Sequence, residues 1–250
     1  MGLEPEADTF RLQARMALFA DEAVGAAYVA DPPITVFRVT PHVEAAHVPL
    51  AAPPLRPRGS GTNEDAWAEA VDALDAEIRA AYPDYRATEL PTIVPTSDEE
   101  DCPPGCNRDT FFAVTVHYVL PPAADAFIVV FGPNHERTGK SVYSNFSVID
   151  AEQLSSYAAV HSRQMPGSVR PYLPDHPQVD DLYAWKVART CEAGDPYCIA
   201  VPYDCPGFSG TTQGSFAFRA YTEAATATGP STSELVVDRA ILFTRPPAVP

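Results

Sequence analysis

Positive charge is what this chain has least of: 17 Lys and Arg stand against 33 Asp and Glu, a net charge of −16. Such a balance repels phosphate backbones and anionic lipid, so nucleic acid is not an expected partner. The acidity reads as a solvated surface, with calcium or another cationic ligand as the alternative. Long apolar runs are missing too. No stretch approaches the ~20 apolar residues that span a bilayer, and no membrane insertion is expected. Residues 1–8 lack the basic region and apolar core of a signal peptide. No internal repeat is visible.

Intact catalytic and metal motifs are absent as well. Thr138-Gly139-Lys140-Ser141 invites a phosphate-loop reading, but that motif needs glycine at position 134, where Asn stands. It also needs a helix after the Lys-Ser pair, whereas residues 142–148 read as strand. Gly207-Phe208-Ser209-Gly210-Thr211 ends in threonine where the G-x-S-x-G elbow requires glycine. None of the six histidines forms an HExxH pair. The acidic run 97–101 lacks the alternating ligands and turn glycine of an EF-hand loop. The sequence names no metal and leaves any cofactor unknown.

Cysteine and proline, by contrast, are informative. Cys102 and Cys106 close a Cys-Pro-Pro-Gly-Cys loop, and Cys191, Cys198 and Cys205 follow at intervals of seven. Most lie among Pro, Gly and Asp rather than in apolar runs, which favours disulfides over free thiols or a thiolate zinc site. Five cysteines leave one unpaired. The expectation is an exported protein, extracellular or periplasmic and with its signal peptide absent from this sequence; a cytoplasmic one is the alternative. The 27 prolines imply many fixed loops.

The chain reads as one α+β domain over 1–250. Its parts are an N-terminal helical region (1–30), a strand, Pro-rich loop, helix and acidic CPPGC loop (31–109), and a β-rich core (110–250). Leu12, Met16, Phe19 and Ala23 predict a helix over 8–24 that stops at Gly25. Residues 33–39 read as a strand. Trp67, Val71, Leu74 and Ile78 form the buried stripe of a helix over 63–81, capped by Thr62 or Asn63 with Glu64 and Asp65 in its first turn. Strands are expected at 110–120, 126–131 and 141–149, the first two joined as antiparallel neighbours by residues 121–125. Asp150 and Gln153 resemble a capping box for a helix bearing Leu154, Tyr157, Ala158 and His161. Four more strands are expected within 182–188, 197–202, 215–221 and 234–244. The sum is an antiparallel or mixed sheet of about six to eight strands, with two or three packed helices and long Pro-rich loops.

The loop at 132–140 carries the densest polar chemistry, next to an interior strand, where binding residues commonly sit. There His135 is the candidate acid/base, Glu136 its orienting carboxylate, and Asn134, Arg137 and Lys140 candidate ligand-binding groups. His117, on the strand face it shares with Thr115, is a further ligand-binding candidate. So are Arg219 and Arg239, which fall inside strand runs and must reach solvent, a carboxylate or a bound anion. Asn145-Phe146-Ser147 is a glycosylation sequon. The leading expectation is a module that binds a small molecule or a protein partner without an intact catalytic motif. The alternatives are an acid/base or hydrolytic enzyme built on the 132–140 loop, and an assembly subunit that uses sheet edges.

Overall fold

The computed structural model describes residues 22–37, 56–96, 108–121, 126–152, 156–202 and 212–246. The chain divides into two compact units, Met1–Pro54 and Leu55–Pro250. In the first, helix α1 spans Glu22–Ala30 and so runs through Gly25 rather than stopping there. The rest of the helix expected over 8–24 lies outside the described residues. The run 33–37 is not a strand. Among the described residues it has no partner to complete a ladder, and Val36 and Phe37 are exposed.

The second unit opens with α2, Asp65–Ala81, whose Val71, Leu74 and Ile78 are buried as their spacing requires. Trp67 is half-buried beside them, its indole N–H donating to Asp181 Oδ2 at 3.2 Å. The N-cap is Glu64, one residue beyond the expected Asn63, and its carboxylate caps nothing. Ten strands follow: β1 Arg86–Glu89, β2 Thr92–Ile93, β3 Thr110–Thr115, β4 Phe127–Pro133, β5 Tyr143–Asp150, β6 Ser156–His161, β7 Leu182–Ala188, β8 Cys198–Ala200, β9 Gly214–Tyr221 and β10 Arg239–Thr244.

They form two five-stranded sheets, ordered β1-β10-β4-β7-β8 and β2-β3-β9-β5-β6. All neighbours are antiparallel except β7 and β8. The sheets pack face to face. Ile128 and Val130 of β4 with Tyr183, Trp185 and Val187 of β7 meet Phe111 of β3, Phe146 and Val148 of β5, and Phe216 and Phe218 of β9. The alternate residues of β4, Phe127, Val129 and Phe131, face the other way and lie under Val71, Leu74 and Ile78 of α2. This explains why β4 is apolar on both faces: a sheet covers one and a helix the other.

Three expectations fail here. The single sheet of six to eight strands is instead two sheets of five, because β1 and β2 are too short to show a period-two pattern and β6 carries a helical spacing. The runs containing β3 and β4 are not neighbours: β10 and β7 flank β4, while β2 and β9 flank β3. And the helix expected after Asp150 is β6. Asp150 Oδ1 accepts from the Glu152 N–H at 2.8 Å in a turn. Residues 156–161 then pair with β5, with a bulge at Val148 and Ile149. The helical spacing of Tyr157, Ala158 and His161 is coincidental; Ala158 and Val160 face the core and His161 does not.

Candidate functional site

β4 ends at Gly132-Pro133, and the chain crosses from the first sheet to the second through residues 134–142. Asn134 builds the crossing. Its backbone carbonyl accepts from the N–H groups of Arg137 (2.8 Å) and Thr138 (3.0 Å), making one helical turn. Its side chain donates to the Ser162 carbonyl at 2.8 Å. That turn drives His135 inward, to 2% exposure.

Inside, the imidazole meets two carboxylates. Nδ1 lies 2.8 and 3.0 Å from the oxygens of Glu64, and Nε2 lies 3.3 Å from Asp238 Oδ2. Burial opposes a charge on His135, but the field of Glu64 and then of Asp238 outweighs it and raises the group to about 10. Both nitrogens therefore carry protons and donate. Burial alone would raise the Glu64 carboxyl; the His135 charge and hydrogen bond, the Thr138 hydroxyl and the Val236 N–H bring it below the ordinary value. Asp238 Oδ1 accepts from the Tyr183 hydroxyl at 2.7 Å. Burial, then the Asp238 charge, pushes that phenol well above its usual range. Asp238 fits so closely because residue 132 is glycine: a Cβ there would stand 2.7 Å from Asp238 Oδ1 and 3.1 Å from its Cα.

Lys140 makes a second buried knot from the same loop. Its ammonium, 2% exposed, donates to Thr62 O (2.6 Å), Glu223 Oε1 (2.5 Å) and Glu234 Oε2 (2.6 Å). The remaining loop charges lie outside. Glu136 accepts from the Ser162 hydroxyl and lies 3.7 Å from Arg163. Arg137 is exposed, 3.8 Å from Asp181. The loop thus divides: His135 and Lys140 point inward, while Glu136 and Arg137 point outward. The carboxylates that orient His135 are Glu64 and Asp238, not Glu136.

The other candidates are scattered. His117 lies beyond the end of β3, exposed, with Nδ1 3.1 Å from Gln213 Oε1. Arg239 leaves β10 to pair with Asp72 (2.7 Å) and Asp75 (3.6 Å) of α2, so its partners are not on the neighbouring strand. Cys191 and Cys198 form a disulfide. Cys102, Cys106 and Cys205 lie outside the described residues. Asn145 of the sequon lies mid-strand, its Nδ2 already donating to the Tyr143 hydroxyl at 2.9 Å. Glu64, Asp238, Tyr183, Glu223 and Glu234 were not anticipated as site residues. Glu64 reads locally as a first-turn acid, and nothing near any of the five in sequence marks it as buried.

Arg219 belongs to a different arrangement, on the face of the second sheet turned away from the core. One cross-strand row runs Phe112 (β3), Arg219 (β9), Asn145 (β5), His161 (β6), each the register partner of the next. The adjacent row places Tyr221 opposite Tyr143, ring centroids 5.3 Å apart. All six side chains are half-buried. The Arg219 guanidinium lies over the Phe112 ring, 5.1 Å from its centroid, and has no hydrogen-bond or ion-pair partner among the described residues. Asn145 Oδ1 is buried without a donor. Burial, then the Arg163 charge, holds the His161 imidazole below its ordinary value. An open pocket of about 230 Å³ is lined by Glu89, Leu90, Thr92 and residues 236–239.

The class this geometry defines is a two-sheet β-sandwich with one helix on its outer face. No family model, no curated protein and no solved structure matches the chain. Among the described residues no cluster of His, Cys, Asp or Glu is placed to hold a metal ion, and no helix is long and apolar enough to cross a membrane.

Proposed function

We propose that the Leu55–Pro250 unit is an exported binding module that recognises its ligand on the outer face of the second sheet and performs no chemistry of its own. The observation that carries this reading is the row Phe112–Arg219–Asn145–His161, backed by Tyr143 and Tyr221. Aromatic bodies with polar tips and a guanidinium without an ion-pair partner among the described residues are the groups that binding surfaces concentrate. Of the ionisable groups of the 132–140 loop that an enzyme would use, His135 and Lys140 are instead consumed internally. His135 has both nitrogens engaged at 2% exposure, which leaves no lone pair for a substrate proton. Export accords with the Cys191–Cys198 disulfide, a linkage that persists in oxidising compartments.

An NMR screen of polar fragments against the full chain tests the reading. Shift changes grouped at Phe112, Tyr143, Asn145, His161, Arg219 and Tyr221 are the expected result. Changes grouped at Glu89, Thr92 and Asp238 would move the site to the pocket and overturn this reading.

A further inference from the structure

We infer that the ligand of this face is an acidic oligosaccharide, one bearing uronate carboxylates; the inference rests on the binding-module reading above. Each part of the ligand follows from a part of the surface. Tyr143 and Tyr221 present rings on one side of one sheet, and the axial C–H faces of a sugar ring stack against such rings. The Tyr143 hydroxyl, which accepts from Asn145 Nδ2 at 2.9 Å and keeps its own proton to donate, and the His161 imidazole supply polar groups on the same face. His161 lies 6.3 Å from Tyr143, centroid to centroid; its Nδ1 accepts from the Arg163 N–H at 3.3 Å, which places the proton of the neutral ring on Nε2, a donor to a sugar hydroxyl.

Arg219 decides the charge. It is a cation without a hydrogen-bond or ion-pair partner among the described residues, and it acts at short range against the long-range repulsion of a chain of net charge −16. The Phe112 ring lies beneath the guanidinium fork, 5.1 Å from centroid to the central carbon. A carboxylate matches that fork with two parallel hydrogen bonds. A neutral sugar would leave the guanidinium unanswered, and an apolar ligand would bury it unpaired. The row crosses four strands, three inter-strand spacings or roughly 14 Å, a span that suits a short oligosaccharide better than a single sugar.

The test is calorimetric titration of the full chain with tri-galacturonate and with maltotriose, repeated for Arg219→Gln, Arg219→Lys and Tyr221→Ala, with thermal melts to verify folding. The acidic trisaccharide is expected to bind and the neutral one to bind at least about tenfold more weakly. Arg219→Gln should erase that preference, and Arg219→Lys should retain part of it, because charge without the planar fork is the weaker match. Tyr221→Ala should weaken both sugars. Raising salt from about 50 to about 300 mM should change the affinity of the acidic ligand alone. Equal affinity for the two sugars, unchanged in Arg219→Gln but lost in Tyr221→Ala, would overturn the acidic assignment and leave the binding face standing. No binding of either sugar by the folded wild type overturns the saccharide assignment. If the fragment screen also leaves these residues unperturbed, the binding-module reading falls with it.

Discussion

Nδ1 of His135 lies 2.8 Å from Oε1 of Glu64, across 71 positions of chain, and this contact joins the crossing loop to the start of the long helix. Glu64 is free to make it because the N-cap position does not use its side chain. The same carboxylate accepts from the Val236 N–H at 2.9 Å, so helix, loop and the approach to β10 share one buried anchor.

That anchor makes stability fall at alkaline pH. The His135 pKa is raised from 6.5 to about 10 on folding. Its contribution is therefore fully present below about pH 6.5 and lost as pH rises through about 10. Urea midpoints measured from pH 6 to pH 10 should decline over that window in the wild type and run flatter in His135→Gln. Parallel profiles would show that the imidazole is not charged in the folded state.

On the acid side the sign reverses. The Glu64 carboxyl is held below its ordinary value of 4.5, so its contribution is present above that pH and lost as pH falls through the folded value. Glu64→Ala leaves a buried imidazolium with one carboxylate, a loss of about 3–5 kcal/mol by the usual cost of breaking a buried pair. Glu64→Gln, which keeps an oxygen facing Nδ1, should lose distinctly less in chemical denaturation.

Lys140 should behave as a buried counter-ion. Lys140→Met strands Glu223 and Glu234, 2.5 and 2.6 Å from the lost ammonium, and should cost about 3–5 kcal/mol. Adding Glu223→Gln should recover part of that, a coupling that a double-mutant cycle reads directly. Additive losses would mean that the two groups act independently.

Gly132→Ala tests the fit of Asp238. The new methyl would stand 2.7 Å from a carboxylate oxygen already held by Tyr183 and His135, with the Asp238 Cα at 3.1 Å behind it. A loss on the order of 1–3 kcal/mol is expected, together with a shallower alkaline decline as Asp238 is displaced from His135. A neutral substitution would mean that β10 shifts freely.

The disulfide closes a short loop, its cysteines seven residues apart. Cys191→Ser with Cys198→Ser should lower stability by about 2–3 kcal/mol, and reducing agent should lower the wild-type melting temperature comparably. Hydrogen exchange should localise the effect to β8, the edge strand that carries Cys198. A melting temperature indifferent to reducing agent would sink this assignment.

By itself the sequence determined what depends on neighbours along the chain. Val71, Leu74 and Ile78 repeat at the helical period and are buried as that period requires. Phe216 and Phe218 repeat at period two and face the core. The apolar run of β4 marks a strand covered on both sides. Local spacing reports which side of an element is apolar, and that side is then buried wherever it finds a partner. Only the tertiary structure decided which strands meet, why residues 156–161 are strand rather than helix, and what the polar loop is for. His135 meets Asp238 across 103 positions, and Lys140 meets Glu234 across 94. A charged side chain reads the same on paper whether it ends in water or against a counter-charge, because burial follows from pairings that no local pattern records. The same holds for the row from Phe112 to His161, four residues on four strands that only the register of the second sheet brings into line.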